Sequence, residues 1–351
     1  MPSSIVLPAG SAAPFAIARD EIAWAGIPQD VGVCPRNYLY VANLRAFHPQ
    51  PVWKAPPCAV ISDVRMSAKW VVWAAGVPPA GIIWARNLVT GRVSKVAKQP
   101  YLLANHPCSP QSCVPPVAFS LDGSTVVWSH FRFTSYGDLM ASAIRLRTLP
   151  RGQVRTLYST NAYCEMQIDP DFAGGRVVWL TAGWPQDVPV NSSPPRQCEG
   201  TVQTTVLTMK LGQPPISLTT DGTVHNVQTN GQFITWEDTA ASSPGCVCSG
   251  LVLLDTRTRH RVILDRTVTA SVLTPSVLSW ISQTASGNSV RAENLKTSQE
   301  TQLSSSGGAA TRRFIRALGW GWGARVVWEV DHVYGAKGAR AQVEMKVVPS
   351  T

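Results

Sequence analysis

Phe119-Ser120-Leu121-Asp122-Gly123-Ser124-Thr125-Val126-Val127-Trp128 sets an Asp-Gly turn between two short apolar runs. Asp-Gly accepts the left-handed backbone of a tight turn, so the flanking runs read as two antiparallel strands of a hairpin. In the second run every position from Val126 to Trp128 is apolar, which means that both faces of that strand are buried. A lone hairpin has no means of burying both faces, so this strand must lie between neighbouring layers.

Working outward, residues 139–146 and 154–158 supply two further strands, giving a unit of four. The same plan recurs with strands over residues 226–229, 233–237, 251–256 and 261–265, the first two joined by Asn230-Gly231. The Trp-ending strand itself occurs seven times, closing at Trp24, Trp73, Trp128, Trp179, Trp236, Trp280 and Trp328. Spacing runs from 44 residues (Trp236 to Trp280) to 57 (Trp179 to Trp236). A period near fifty built from short strands is that of propeller blades, and the 3.6-residue periodicity of helical repeats is missing. The seven Trp are read as packing between blades, since large aromatics mostly serve as core.

The expected fold is therefore all-β, a single β-propeller domain over residues 1–351 with seven four-stranded blades; six is the alternative count, with the first or last copy partial. The blades are expected near residues 15–55, 58–98, 116–159, 164–220, 223–267, 268–304 and 312–348, the last completed by residues 4–7. Within each, strands A to D run from the axis outward. The seventh copy stops after one strand beyond Trp328, so the N-terminal strand is expected to supply its missing outer strand, leaving no free sheet edge there. Gly319-Trp320-Gly321-Trp322-Gly323 reads as an inner strand whose glycines permit crowding.

The stretch from Pro116 through Asp122-Gly123 to Trp128 resembles the TolB-like, WD40-like propeller repeat, whose pattern is an apolar-aromatic strand, Ser-Pro-Asp-Gly and a second apolar strand. Leu121 stands where that pattern has Pro. The likeness covers the chain in rhythm and one blade in detail. It implies the fold and leaves function open.

The chain of 351 residues has 15% charged residues, 13 Trp, 26 Gly and 27 Pro, which suits short buried strands and excludes a disordered chain. A formal charge of +10 comes from scattered Lys and Arg without a base-reading motif, so no nucleic-acid partner is expected. No run of 18 apolar residues occurs, and residues 1–8 lack a signal peptide's charged and apolar regions, so an exported form would be trimmed. Eight cysteines point to disulfides and an oxidising compartment: extracellular, cell-surface or periplasmic. Zinc is the competing reading, but the spacings are not those of zinc sites, and neither a metal nor a cofactor is expected. All eight fall in B-to-C or D-to-A connections, hence on one face. Chain order pairs Cys34 with Cys58, Cys108 with Cys113, Cys164 with Cys198, and Cys246 with Cys248. The last pair would close a very small ring, leaving a redox-active pair, free thiols or pairing with other cysteines as alternatives.

The same face carries long loops over residues 98–115 and 183–202, and such loops are commonly functional. Ligand-contact candidates there are His106, Tyr136, Trp184, Glu237, Asp238, Asp331, His332 and Tyr334. His130, Arg132, Tyr163 and His225 are the candidates for catalysis, able to abstract a proton and neutralise a uronate carboxylate as in propeller polysaccharide lyases. No nucleophile elbow, phosphate loop or metalloprotease motif is present. The leading expectation is a non-catalytic binding or scaffold propeller that meets a protein or glycan at the cysteine-bearing face. A carbohydrate-active lyase and a structural subunit of a surface assembly are the alternatives.

Overall fold

The computed structural model describes residues 4–6, 11–26, 37–77, 80–100, 118–133, 139–162, 165–183, 186–188, 197–199, 202–219, 223–244, 246–284, 287–305, 313–319, 321, 323–333 and 339–348. Among these the strands form seven antiparallel sets of four, the blades of a β-propeller. Blade 1 has strands A to D at Ser11–Ala18, Glu21–Gly26, Tyr38–Asn43 and Gln50–Lys54. Blade 2 uses Val60–Met66, Trp70–Val77, Ala80–Asn87 and Val93–Pro100. Blade 3 uses Phe119–Asp122, Thr125–Phe133, Leu139–Thr148 and Arg155–Thr160. Blade 4 uses Glu165–Ala173, Arg176–Gly183, Gln203–Lys210 and the two-residue Ile216–Ser217.

Blades 5 and 6 share one seven-stranded sheet. Blade 5 begins with Val224–Thr229, Phe233–Asp238 and Ser249–Asp255, and blade 6 ends with Val277–Thr284, Gly287–Asn294 and Gln299–Ser305. Between them a single 13-residue strand, Arg261–Leu273, serves as D of one blade and A of the next. The sequence separates these strands at residue 267; the chain runs straight through because no Gly or Pro interrupts residues 261–273.

Blade 7 contains Arg313–Gly319, Arg325–Val333 and Ala339–Val347. Its outer strand is Ser4–Val6, paired antiparallel as Ser4↔Glu344, Ile5↔Val343 and Val6↔Gln342, so the N-terminal strand completes the last blade as expected. The Gly-Trp run, read as an inner strand, instead leaves the strand at Gly319. Gly321 lies beyond it, where a Cβ would collide with the Arg325 carbonyl. Trp320 and Trp322 lie outside the described residues.

The chain divides into two compact units, one of Met1–Trp73, Ala241–Leu251 and Ile263–Thr351, the other of Ala74–Ala240 and Val252–Val262. In the first, Trp24, Phe15 and Ile17 of blade 1 pack with Val327, Val343 and Met345 of blade 7. Trp328 packs with Val277, Ile281 and Val290 of blade 6. The Arg325 guanidinium adds a polar tie, donating to the Arg19 carbonyl and lying 3.6 Å from Asp20.

In the second unit, Trp179 packs with Val127 and Ile144 of blade 3, and Trp236 with Val178 and Leu180 of blade 4. All seven repeat Trp are fully buried, which bears out their reading as packing. Replacing one with Ala would cost about 3–5 kcal/mol. Asp171 links three inner strands here: Oδ1 accepts from Ser120 Oγ (2.5 Å) and Oδ2 from the Thr229 amide (2.7 Å).

Candidate functional site

The A strands of blades 4 and 5 each carry an irregularity at the same place. Between Ile168↔Leu180 and Asp171↔Val178 two residues oppose Trp179, and between His225↔Glu237 and Gln228↔Thr235 two oppose Trp236. Asp169 (φ 48°) and Asn226 (φ 49°) take the left-handed conformation that makes this possible, one that Asp and Asn tolerate best among residues with a side chain. Bulges of this kind re-aim side chains and recur beside functional sites.

In blade 5 the bulge builds a hydrogen-bonded chain. The Gln228 amide donates to Asn226 Oδ1 (2.9 Å), and Asn226 Nδ2 donates to Glu237 Oε1 (2.5 Å). On its other oxygen, Glu237 faces His225 Nε2 at 3.2 Å. The hydrogen bond that His225 donates to Glu237 raises the His225 pKa above its ordinary 6.5, opposed by burial and assisted by the charges of Glu237 and Asp169. His225 therefore presents a half-exposed imidazole whose protonated form is favoured by a buried carboxylate. Such a group can bind an anion or donate a proton.

Blade 4 uses its bulge differently. Gln167, fully buried, accepts from Trp179 Nε1 (2.6 Å) and Thr181 Oγ1 (2.8 Å) and donates to Glu165 (2.9 Å). This closed polar network fixes the strand and offers little to a ligand.

His130, on strand B of blade 3, bonds through Nδ1 to Gln99 Oε1 at 2.9 Å. Burial, with a smaller push from the nearby Arg145 cation, lowers its pKa to about 4. It is a neutral imidazole at ordinary pH and a weak base. Arg132, two residues along the same strand, is exposed. Asp238 accepts from the Ala240 amide (3.0 Å) and lies 3.9 Å from Arg261 Nη2, whose guanidinium also sits over the Trp236 ring at 5.0 Å. Asp331 and His332 are placed on strand B of blade 7 by backbone register alone. His106, Tyr136, Tyr163, Trp184 and Tyr334 lie outside the described residues.

Cys246 and Cys248 form a disulfide with Cα atoms 5.2 Å apart, the pairing that the sequence rated least secure. Its loop is tied to the following strand: the Ser243 amide donates to the Arg266 carbonyl (2.9 Å), and Arg266 Nη1 donates to the Ala241 carbonyl (3.3 Å). Gly250 presses so close to Ala241 that a Cβ would stand 2.6 Å from the Ala241 carbonyl oxygen. Between the two sulfurs, Val247 is 98% exposed. Cys58 is also disulfide-bonded, and none of the described cysteines is free. Cys34, Cys108, Cys113 and Cys164 lie outside the described residues, and Cys198 is placed by backbone in the short hairpin of Gln186–Val188 with Gln197–Glu199. Among the described residues no group of three metal-ligating side chains converges, and no helix is long and apolar enough to cross a membrane.

No family model and no curated protein sequence matches the chain. Solved structures do. The β-propeller domain of the trilobed protease from Pyrococcus furiosus is similar over 96% of this chain and 97% of its own, at 11% identity and a TM-score of 0.63. The Pyrococcus horikoshii acylaminoacyl peptidase matches 97% of this chain at 10% identity and a TM-score of 0.63, and this chain spans only 52% of that peptidase's length. An oligogalacturonate lyase, solved in complex with manganese, matches over 94% of this chain and 86% of its own at 10% identity and a TM-score of 0.57. At such identities the likeness establishes the propeller fold and nothing about activity.

Proposed function

We propose that the protein is an extracytoplasmic, non-catalytic binding propeller that engages a protein or glycan through its disulfide-stapled B-to-C and D-to-A connections. The observation that carries this reading is the Cys246–Cys248 loop, which holds Val247 98% exposed on a backbone tied down at Ala241, Ser243 and Arg266. Covering an apolar side chain held out in water is favourable. A tethered loop gives up little entropy when that happens. The disulfide and the absence of free thiols among the described residues support an oxidising compartment.

The test uses the oxidised protein, incubated with envelope extract and with a glycan panel, beside Val247→Asp. Retention of a partner by the wild type and its loss in the variant supports the reading. Equal retention by both, or none by either, overturns it.

His225 and Glu237 favour a second reading, a lyase on acidic polysaccharide. The raised pKa of His225 suits a proton donor or a carboxylate-binding cation, whereas His130, with its pKa near 4, suits neither. Appearance of unsaturated uronate products, followed by ultraviolet absorbance across a polysaccharide panel and abolished by His225→Ala, would establish it. A blank panel would remove it.

A further inference from the structure

We propose that the groove between blades 4 and 5 binds an acidic peptide segment, laid beside the short outer strand of blade 4. No residue that lines it belongs to the Cys246–Cys248 loop, so its occupancy does not depend on the reading above.

The groove exists because blade 4 lacks a full outer strand. Strand C, Gln203–Lys210, has eight residues, yet Ile216–Ser217 pairs only with Thr208 and Leu207. Pro214-Pro215 stands immediately before Ile216, and proline has no N–H to extend the ladder in that direction. What remains open is a cleft of about 740 Å³ against Ile234, Trp236 and Leu254 of blade 5. Ile216 stands at its edge, 60% exposed. A sheet edge this short, bordered by apolar side chains, is a place where an extended segment can add as a strand.

The charge of the groove selects the segment. Among the described residues every ionisable side chain lining it is basic: Arg176, Lys210, Arg259 and Arg261. Arg176 is buried and donates to neutral oxygens of Gly231 (3.0 Å), Thr208 (3.4 Å) and Thr256 (3.3 Å), none of which offsets its charge. Arg261 is shared with Asp238 at 3.9 Å, while Lys210 and Arg259 stand exposed at the rim. An incoming carboxylate therefore meets four cations, one of them partly offset by Asp238 behind it, an arrangement that favours acidic partners and rejects basic ones.

A peptide fits better than a glycan. Sugars are held chiefly by open aromatic faces, and the single aromatic residue of the lining, Trp236, is fully buried with Arg261 over its ring. The remaining apolar lining, from Met209, Pro215, Ile216 and Leu218, is suited to aliphatic side chains.

The experiment is fluorescence anisotropy at low salt with a labelled octapeptide of alternating glutamate and isoleucine. The counterpart of alternating lysine and isoleucine and a heparin-derived oligosaccharide serve as comparisons. Expected is saturable binding of the acidic peptide, at least tenfold weaker in Lys210→Glu/Arg259→Glu and weakened again as salt is raised. Because Ile216→Ser changes no charge, weaker binding in that variant would separate the strand edge from bulk electrostatics. All three positions are exposed, so unchanged melting temperatures are expected for both variants. No binding of the acidic peptide, binding unaffected by either variant, or tighter groove-dependent binding of the oligosaccharide would overturn the proposal. Val247→Asp should leave this binding intact.

Discussion

Glu237 lies directly across the first hairpin of blade 5 from His225, its carboxylate 3% exposed and 3.2 Å from an imidazole that is 47% exposed. The pair joins a buried charge to a group that water can reach. Because the pKa of His225 is raised above 6.5, the pair's contribution to stability is full below that value and is lost as pH rises through the folded pKa. The stability gap between wild type and Glu237→Gln is therefore expected to narrow from pH 6 to pH 9, modestly, since solvent screens the half-exposed ring. In NMR titration the His225 midpoint should fall in the variant. An unmoved midpoint would show that Glu237 is not its source.

His130 carries the opposite sign. Its folded pKa of about 4 lies below the ordinary 6.5, so the unfolded chain takes up the proton first, and stability drains as pH falls from about 6.5 to about 4. His130→Gln removes this sensitivity. Urea unfolding at pH 7 and pH 4.5 is expected to show the wild type losing more than the variant, by on the order of 2 kcal/mol.

Asp171 receives Ser120 and Thr229 on separate oxygens, tying together the inner strands of blades 3, 4 and 5. Asp171→Ala leaves the Thr229 amide without this partner and is expected to cost about 3 kcal/mol, read from the shift of the urea midpoint at constant slope. Asp171→Asn, keeping one acceptor, should fall between.

Gly231 has φ 95°, and a Cβ there would stand 3.1 Å from Gly174 Cα and 3.2 Å from the Ala173 carbonyl oxygen. Gly123, the turn glycine of blade 3, has φ 58° but open space around it. Gly231→Ala should therefore destabilise by about 2–3 kcal/mol and Gly123→Ala by about 1 kcal/mol, compared by thermal melting. Equal losses would mean that backbone conformation alone sets the cost.

Mapping of peptides without reduction is expected to find Cys246 and Cys248 joined to each other and Cys58 oxidised. A free thiol at any of the three would contradict the structure.

The architecture was legible because its signals are local. Val126-Val127-Trp128 announces burial on both faces, Asp122-Gly123 and Asn230-Gly231 announce turns, and the missing D strand alone points to the N-terminal strand as the outer strand of the last blade. What escaped depends on partners far away in sequence. Gln167, Asp171 and Asn226 look like ordinary strand polar residues, and only the fold reveals that they meet Trp179, Ser120 and Glu237. Of the four catalytic candidates, His225 gains a partner that also stood among the ligand-contact candidates, although nothing in the sequence pairs it with Glu237. The groove had one readable sign, Pro214-Pro215 beside a strand two residues long, but its basic lining comes from residues between positions 176 and 261 and is assembled only by packing.

Ser4–Val6 pairs with residues near the opposite end of the chain, and this sets a schedule for synthesis. Residues 4–6 have to wait until residues 342–344 have been made before they find their place, and until then each waits with an exposed edge open to other chains. Blades 1 to 6 can form as they emerge, while blade 7 is completed by a strand made long before its other three. A nascent chain stalled before residue 342 would thus hold an unfinished blade 7 and an unmatched Ser4–Val6 strand, a species for which chaperone binding matters most.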